Sequence, residues 1–202
     1  MRASDSRVSD RGAPLASVPA GVASLSEYAT LLSEANGLEL HSGLFRVFGV
    51  GPACLGRDGL AWNESAWRAA YRLPHAVSLW GESIFGDQFG LDRGSGALLQ
   101  LSCEGGALET LPFRTLAQFI DRLLDEPEKW IERDLVEAAA TKGLRPSLTE
   151  HLSFSLPLIC GGSPDEENLE VMDAEAHLDV LGQILAQSRD VPEGTTIRGF
   201  NG

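Results

Sequence analysis

Along Ala97 to Cys103, apolar and polar residues alternate, so that Ala97, Leu99, Leu101 and Cys103 share one face and Leu98, Gln100 and Ser102 share the other. A period of two predicts a strand with one cleaner apolar face, which helices or another sheet must cover. Gly94-Ser95-Gly96 separates it from a run ending at Leu91, and Glu104-Gly105-Gly106 separates it from Leu108. Glycine accepts the positive φ of short hairpin loops. The stretch from Trp80 to Leu111 therefore predicts three short strands in a meander, introduced by the aromatic, acidic turn WGESIFGDQFG.

The remaining segments read as elements packed on that meander. Ser24-Leu25-Ser26-Glu27 matches a capping box, with Leu25, Tyr28, Leu31 and Leu32 as a helical stripe and Gly37 as the stop. LELHSGLFRVFG turns extended, with Leu44, Arg46 and Phe48 alternating against Phe45 and Val47. Asn63 predicts the cap of a short helix through Tyr71, and Val77 to Trp80 a strand. Thr115-Leu116-Ala117-Gln118 is a second capping box, followed by a stripe of Leu116, Phe119, Ile120, Leu123 and Leu124. Asp125 with Glu128 predicts the cap of a further helix that stops at Gly143. Leu152 to Ile159 reads as a strand, a helix begins near Asp173, and Thr195 to Ile197 predicts a last strand. Residues 1–22 show no periodicity and are expected to be a disordered leader; residues 23–202 are expected to form a single α+β domain.

Composition narrows the function. The 202 residues carry 16 Lys plus Arg against 29 Asp plus Glu, a net charge of -13. That balance disfavours nucleic acid and favours a basic protein partner, although an acidic surface also serves solubility. No apolar run approaches membrane-spanning length and no secretion signal opens the chain. Three cysteines, Cys54, Cys103 and Cys160, suit reduced thiols and a cytoplasmic setting.

Candidate chemistry is sparse. The loop GVGPACLGRDG begins as a phosphate cradle, but Cys54 takes the third glycine position and Pro52 removes a donor. Trp62 and Trp67 could line a pocket, and helical spacing favours the core instead. Glu82 and Asp87 could serve as general acid and base only if desolvated; acids in glycine turns more often accept backbone hydrogen bonds. Cys160 before Gly161-Gly162 has the form of a nucleophile beside an oxyanion hole, with His151 or His177 as base, yet no motif places either histidine. The histidines and cysteines lack metal-ligand spacing, so neither metal nor cofactor is expected. Asp165, Glu166, Glu167, Glu170, Asp173, Glu175 and Asp179 form an acidic stretch without a basic residue, and they are the candidate partner-binding residues.

GLFRVFG at Gly43 to Gly49, Trp62, and WGESIFGDQFG at Trp80 to Gly90 together resemble the SUKH superfamily of bacterial immunity proteins and yeast cell-wall synthesis regulators. The hairpins and TLAQFIDRLL extend the resemblance, and FSLPLICGGSPDEENLEV with LGQILAQSRDVPEGTTI is similar to the C-terminal half of related immunity-type domains. The resemblance implies a curved, mostly antiparallel sheet surrounded by helices and no enzymatic activity. It further implies an immunity protein that occludes a cognate toxin, often a nuclease; the alternative is a regulatory or scaffold domain of the same fold. It carries over no binding site.

Overall fold

A computed structural model describes residues 7–23 and 25–189. In chain order its elements are β1 (Val8–Arg11), α1 (Ala20–Ala23), α2 (Ser26–Glu34), β2 (Leu38–Leu40), β3 (Phe45–Val47), α3 (Gly59–Asn63), α4 (Trp67–Ala70), β4 (Val77–Ser83), β5 (Gln88–Asp92), β6 (Leu98–Leu101) and β7 (Leu108–Thr110). Then follow α5 (Leu116–Asp125), α6 (Arg133–Thr141), β8 (Glu150–Phe154), β9 (Leu169–Asp173) and α7 (Ala174–Ser188). Strands β1 to β7 form one antiparallel sheet in sequence order, and β8 with β9 forms a separate two-stranded antiparallel sheet. The class is α+β.

Local chemistry fixes the meander. Asp92 Oδ1 accepts from the Gly94 and Ser95 amides at 2.9 and 2.7 Å, closing the β5–β6 turn, while Gly96 takes a φ of +74°. Gly106 plays the same part between β6 and β7 at a φ of +66°.

Each face of the sheet has its own core. One gathers Trp80, Phe89, Leu98 and Phe119 beneath α2 and α5; the other gathers Leu79, Leu99 and Leu101 with Trp67, Leu178 and Leu181 of α4 and α7. The expected apolar face of β6 is thus covered by helices. Leu98, assigned to the more polar face, is buried as well, because α5 covers that side. Trp62 and Trp67 are core residues, in ring contact at 5.3 Å.

Helix caps depart from the pattern in instructive ways. Thr115 caps α5 as expected, its hydroxyl accepting from the Gln118 amide at 3.1 Å; the Gln118 side chain accepts from Arg114 instead of Thr115. Ser24 lies outside the described residues, and Glu27, its predicted capping partner, accepts from the Leu116 amide of α5. Asn63 ends a helix rather than starting one: Asp58 caps α3, and Asn63 bonds Gly59, Leu79 and Arg68. Asp125 closes α5 and pairs with Arg7 at 2.5 Å; Pro127 starts a 3-10 turn, so α6 begins only at Arg133. The predicted strand at Leu152 shifts forward to Glu150 and stops at Phe154, and the one at Thr195 to Ile197 lies outside the described residues.

Within the stretch predicted as a leader, β1 pairs with β2 and Val22 is buried. Backbone pairing at a sheet edge needs little hydrophobic patterning. The opposite edge is β7, exposed along its length.

Phe119 is fully buried and its ring meets Trp80, Phe89, Phe113 and Trp130. Phe119→Ala is expected to remove about 3–5 kcal/mol from the unfolding free energy measured by chemical denaturation.

Candidate functional site

Glu82, on β4, has no exposed surface, yet it remains charged. Strand register places Arg46 of β3 opposite it on one side and Gln88 of β5 on the other. The loop between β3 and α3 delivers Arg57: Asn36 grips both backbone groups of Val50 at 3.0 and 2.7 Å, and the Gly49 amide donates to the Arg57 carbonyl at 3.1 Å. Arg57 then embraces the carboxylate through Nε and Nη2, both at 3.2 Å, with its guanidinium 3.8 Å from the Trp62 ring centroid. Arg46 Nη1 lies 3.6 Å away. Burial by itself would raise the carboxyl pKa, but His151, Arg57 and Arg46 together outweigh it and hold the group at about 2.

A line of two histidines leads away from this carboxylate. His151 of β8 places Nε2 3.2 Å from Glu82 Oε2, and its Nδ1 is 3.1 Å from Nδ1 of His177 on α7. Burial lowers the pKa of both rings, that of His177 to about 3, so both are neutral at pH 7. Charge then dictates the tautomers. The His151 Nε2 contact with Glu82 falls outside hydrogen-bond geometry, but a carboxylate 3.2 Å away repels a lone pair and so favours hydrogen on Nε2, which leaves His151 Nδ1 bare. His177 must donate from Nδ1, leaving its Nε2 as a lone pair without a partner among the described residues. Gly86 makes room for the pair. At its φ of +96° a Cβ would lie 2.9 Å from His151 Nδ1 and 3.1 Å from His177 Nδ1.

His177 also lines a cavity of about 320 Å³ between the β4–β5 turn, the β6–β7 turn, β8 and the segment before α6. Phe85, Trp130 and Phe154 form its aromatic walls, and Asp87, Glu104 and Glu132 its acids. Glu104 Oε2 accepts from the Leu158 amide at 3.0 Å, which ties the 3-10 turn Leu158–Cys160 to the hairpin tip; Oε1 is buried without a partner. Burial, with Asp87 adding to it, raises the Glu104 pKa despite the backbone bonds. Another cavity, about 400 Å³, is bordered by Arg68, whose guanidinium is already bonded to Asn63, Pro74 and Val77. It presents no comparable set of unpartnered groups.

The sequence candidates are distributed across this arrangement. Glu82 is buried on a strand rather than held in a turn, whereas Asp87 accepts from the Cys103 amide at 3.0 Å as a turn acid would. Cys160 is no activated nucleophile: burial and Glu104 raise its thiol pKa, and the Gly161 and Gly162 amides already donate to Leu158 and Pro157. Among the described residues no His, Cys, Asp and Glu cluster could hold a metal ion. Of the acidic stretch, Asp165 caps a 3-10 turn, Asp173 caps α7, Glu167 pairs with Lys142 at 2.9 Å, and none lines the 320 Å³ cavity.

The convergence of Arg46, Arg57 and the histidine pair on Glu82 is not legible in the sequence, where His151 and His177 stand only as candidate bases for Cys160, because these residues join across distant elements. A signal did exist. His177 interrupts the apolar stripe Ala174, Leu178, Leu181 and Leu185, all buried, and a polar residue on such a stripe needs a buried partner.

Residues 114–185 match the family described as T6SS immunity protein Tdi1, C-terminal. The crystal structure of Atu4351 from Agrobacterium tumefaciens superposes with a TM-score of 0.58 at 15% identity, covering 88% of this chain and 86% of that one. At that identity the likeness concerns the fold. No curated protein matches the chain. No described helix is long and apolar enough to cross a membrane.

Two measurements test the histidine line. Long-range 15N NMR at pH 7 is expected to show His151 protonated at Nε2 and His177 at Nδ1; the reverse assignment removes the charge-set order. Acid should also destabilise the fold. For each histidine the folded pKa lies below the ordinary 6.5, so its contribution is full above that value and is lost as pH falls, when the unfolded chain takes up protons that the folded one refuses. Keeping His177 neutral at pH 5 costs about 2 kcal/mol. Thermal midpoints should therefore be level above neutrality and fall between pH 6.5 and 5, with His177→Gln flattening that decline; Glu82 adds a further loss below 4.5.

Proposed function

We propose that this chain is an immunity-type protein that binds a T6SS toxin and neutralises it by covering its working surface, without chemistry of its own. The match of residues 114–185 to the Tdi1 immunity family carries the reading. Charge supports it: a net charge of -13 suits a basic partner, and a toxin that acts on nucleic acid must hold phosphate with basic residues. We assign the contact surface to Asp165, Glu166, Glu167, Glu170, Asp173, Glu175 and Asp179, and the site of action to the cytoplasm of the producing cell. Carboxylates outside the caps, such as Glu166 and Glu175, are exposed and available to steer a cationic partner.

One observation favours an enzyme instead: the line from Glu82 through His151 to His177 has the form of a proton relay and ends at a cavity. The groups there argue against it. Cys103 Sγ donates to the Phe85 carbonyl at 3.2 Å and burial pushes its thiol well up. His177, with a pKa of about 3, is a poor base at neutral pH.

Co-expression with a candidate T6SS effector toxin, sought among the genes beside this one, is expected to restore growth of a sensitive host and to yield a co-eluting complex. A host that dies regardless, with no complex formed, rules out the immunity reading. Reversing Glu166, Glu170 and Glu175 to lysine should slow association about tenfold at low salt, a gap that closes at high salt; equal rates at low salt would remove these acids from the contact surface.

A further inference from the structure

We infer that the 320 Å³ cavity beside His177 is a receptor for one cationic side chain, arginine or lysine, of the protein partner. This deepens the proposed function and rests on it. Polar atoms that lack partners come first. Ser153 Oγ, on a residue 2% exposed, and His177 Nε2, on a residue 3% exposed, have none among the described residues, nor does Glu104 Oε1. A buried polar atom without a partner costs free energy that a donor from outside can return.

The character of those atoms selects the ligand. Ionised Glu82 favours the tautomers that leave a lone pair on His177 Nε2, and Glu104 adds a carboxyl oxygen, both buried in the cavity wall. Ser153 can accept as well as donate. Trp130 Nε1 is an unpartnered donor, but its ring also offers a face to a cation. Asp87, Glu104 and Glu132 line the cavity and no lysine or arginine does, so the field inside is negative. Phe85 and Phe154 stack at 6.1 Å and add π-surface with Trp130. Acceptors, negative charge and aromatic faces together recognise a guanidinium or an ammonium; an anion would meet nothing of opposite charge. The charge of a docked cation also offsets the desolvation that keeps the Glu104 pKa high.

The partner, rather than a free amine, is the better source. Leu156 and Ile159, 50% and 37% exposed, flank Leu158 of the cavity wall, so apolar surface borders the cavity and suits contact with a protein.

The full chain is titrated with N-acetylarginine amide and, as an uncharged control, N-acetylnorleucine amide, while the Trp130 indole N–H is followed by NMR. The expected result is a saturable shift with a millimolar dissociation constant for the arginine amide alone. In parallel, toxin affinity is measured for Glu104→Gln, which can keep the bond from Leu158, and for Glu132→Gln, at an exposed position. Each variant should weaken the complex about tenfold with an unchanged thermal midpoint. If wild-type protein binds the toxin but both variants bind it equally well, or the arginine amide leaves Trp130 unmoved to about 50 mM, the cavity reading falls and the immunity reading stands. If wild-type protein binds no toxin, the immunity reading falls, and with it the toxin as the source of the cation, whatever the arginine amide does.

Discussion

A carboxylate that water cannot reach must be answered by the protein, and Glu82 is answered from β3, the loop before α3, β5 and β8. Each partner comes from a different part of the chain, so the ion cluster can form only when all four are in register. The net contribution of such a cluster to stability is small, since desolvation offsets most of the attraction. Its effect is on specificity. A slip of β3 or β5 by one residue would turn Arg46 or Gln88 to the opposite face and leave a buried charge unmatched. The same constraint seats the two-stranded sheet, since His151 approaches Glu82 while the Leu152 amide donates to the Ile84 carbonyl at 2.9 Å.

Much of the architecture was legible in the chain because it is local. The glycines between β5, β6 and β7 mark turns that Asp92 and Ser102 close with their own side chains, and the stripe from Leu116 to Leu124 is buried as its period requires. Boundaries were less legible wherever one side chain had several uses. Asn63 and Asp125 look like caps in isolation; the fold offered Asn63 both backbone groups of Leu79 and Asp125 an arginine. Leu98 shows the remaining limit, since a strand buried on both faces is distinguished from a half-buried one only by what α5 covers.

The site was far less legible, for a physical reason. Glu82 stood out as an acid among aromatics, but its ionisation depends on Arg57 and His151, which no spacing rule connects to it. The histidines failed every metal motif because such motifs describe ligands on one element, while this pair spans a strand and a helix. The cavity adds to the difficulty: its walls come partly from the stretch matched by the immunity family and partly from the hairpins before it. Neither half contains the pocket alone.

Among the described residues the open meander ends in two edges, β1 and β7, that no strand pairs, and such edges invite copies of a chain to zip together. Both are three or four residues long; β7 carries Glu109, and β1 carries Asp10 beside Arg11. Two copies meeting β7 to β7 would bring Glu109 carboxylates together, and a β1 to β1 meeting has only four residues of backbone to bond. Edges this short discourage copies of the sheet from polymerising, so the exposed surfaces of the chain stay free as its concentration rises.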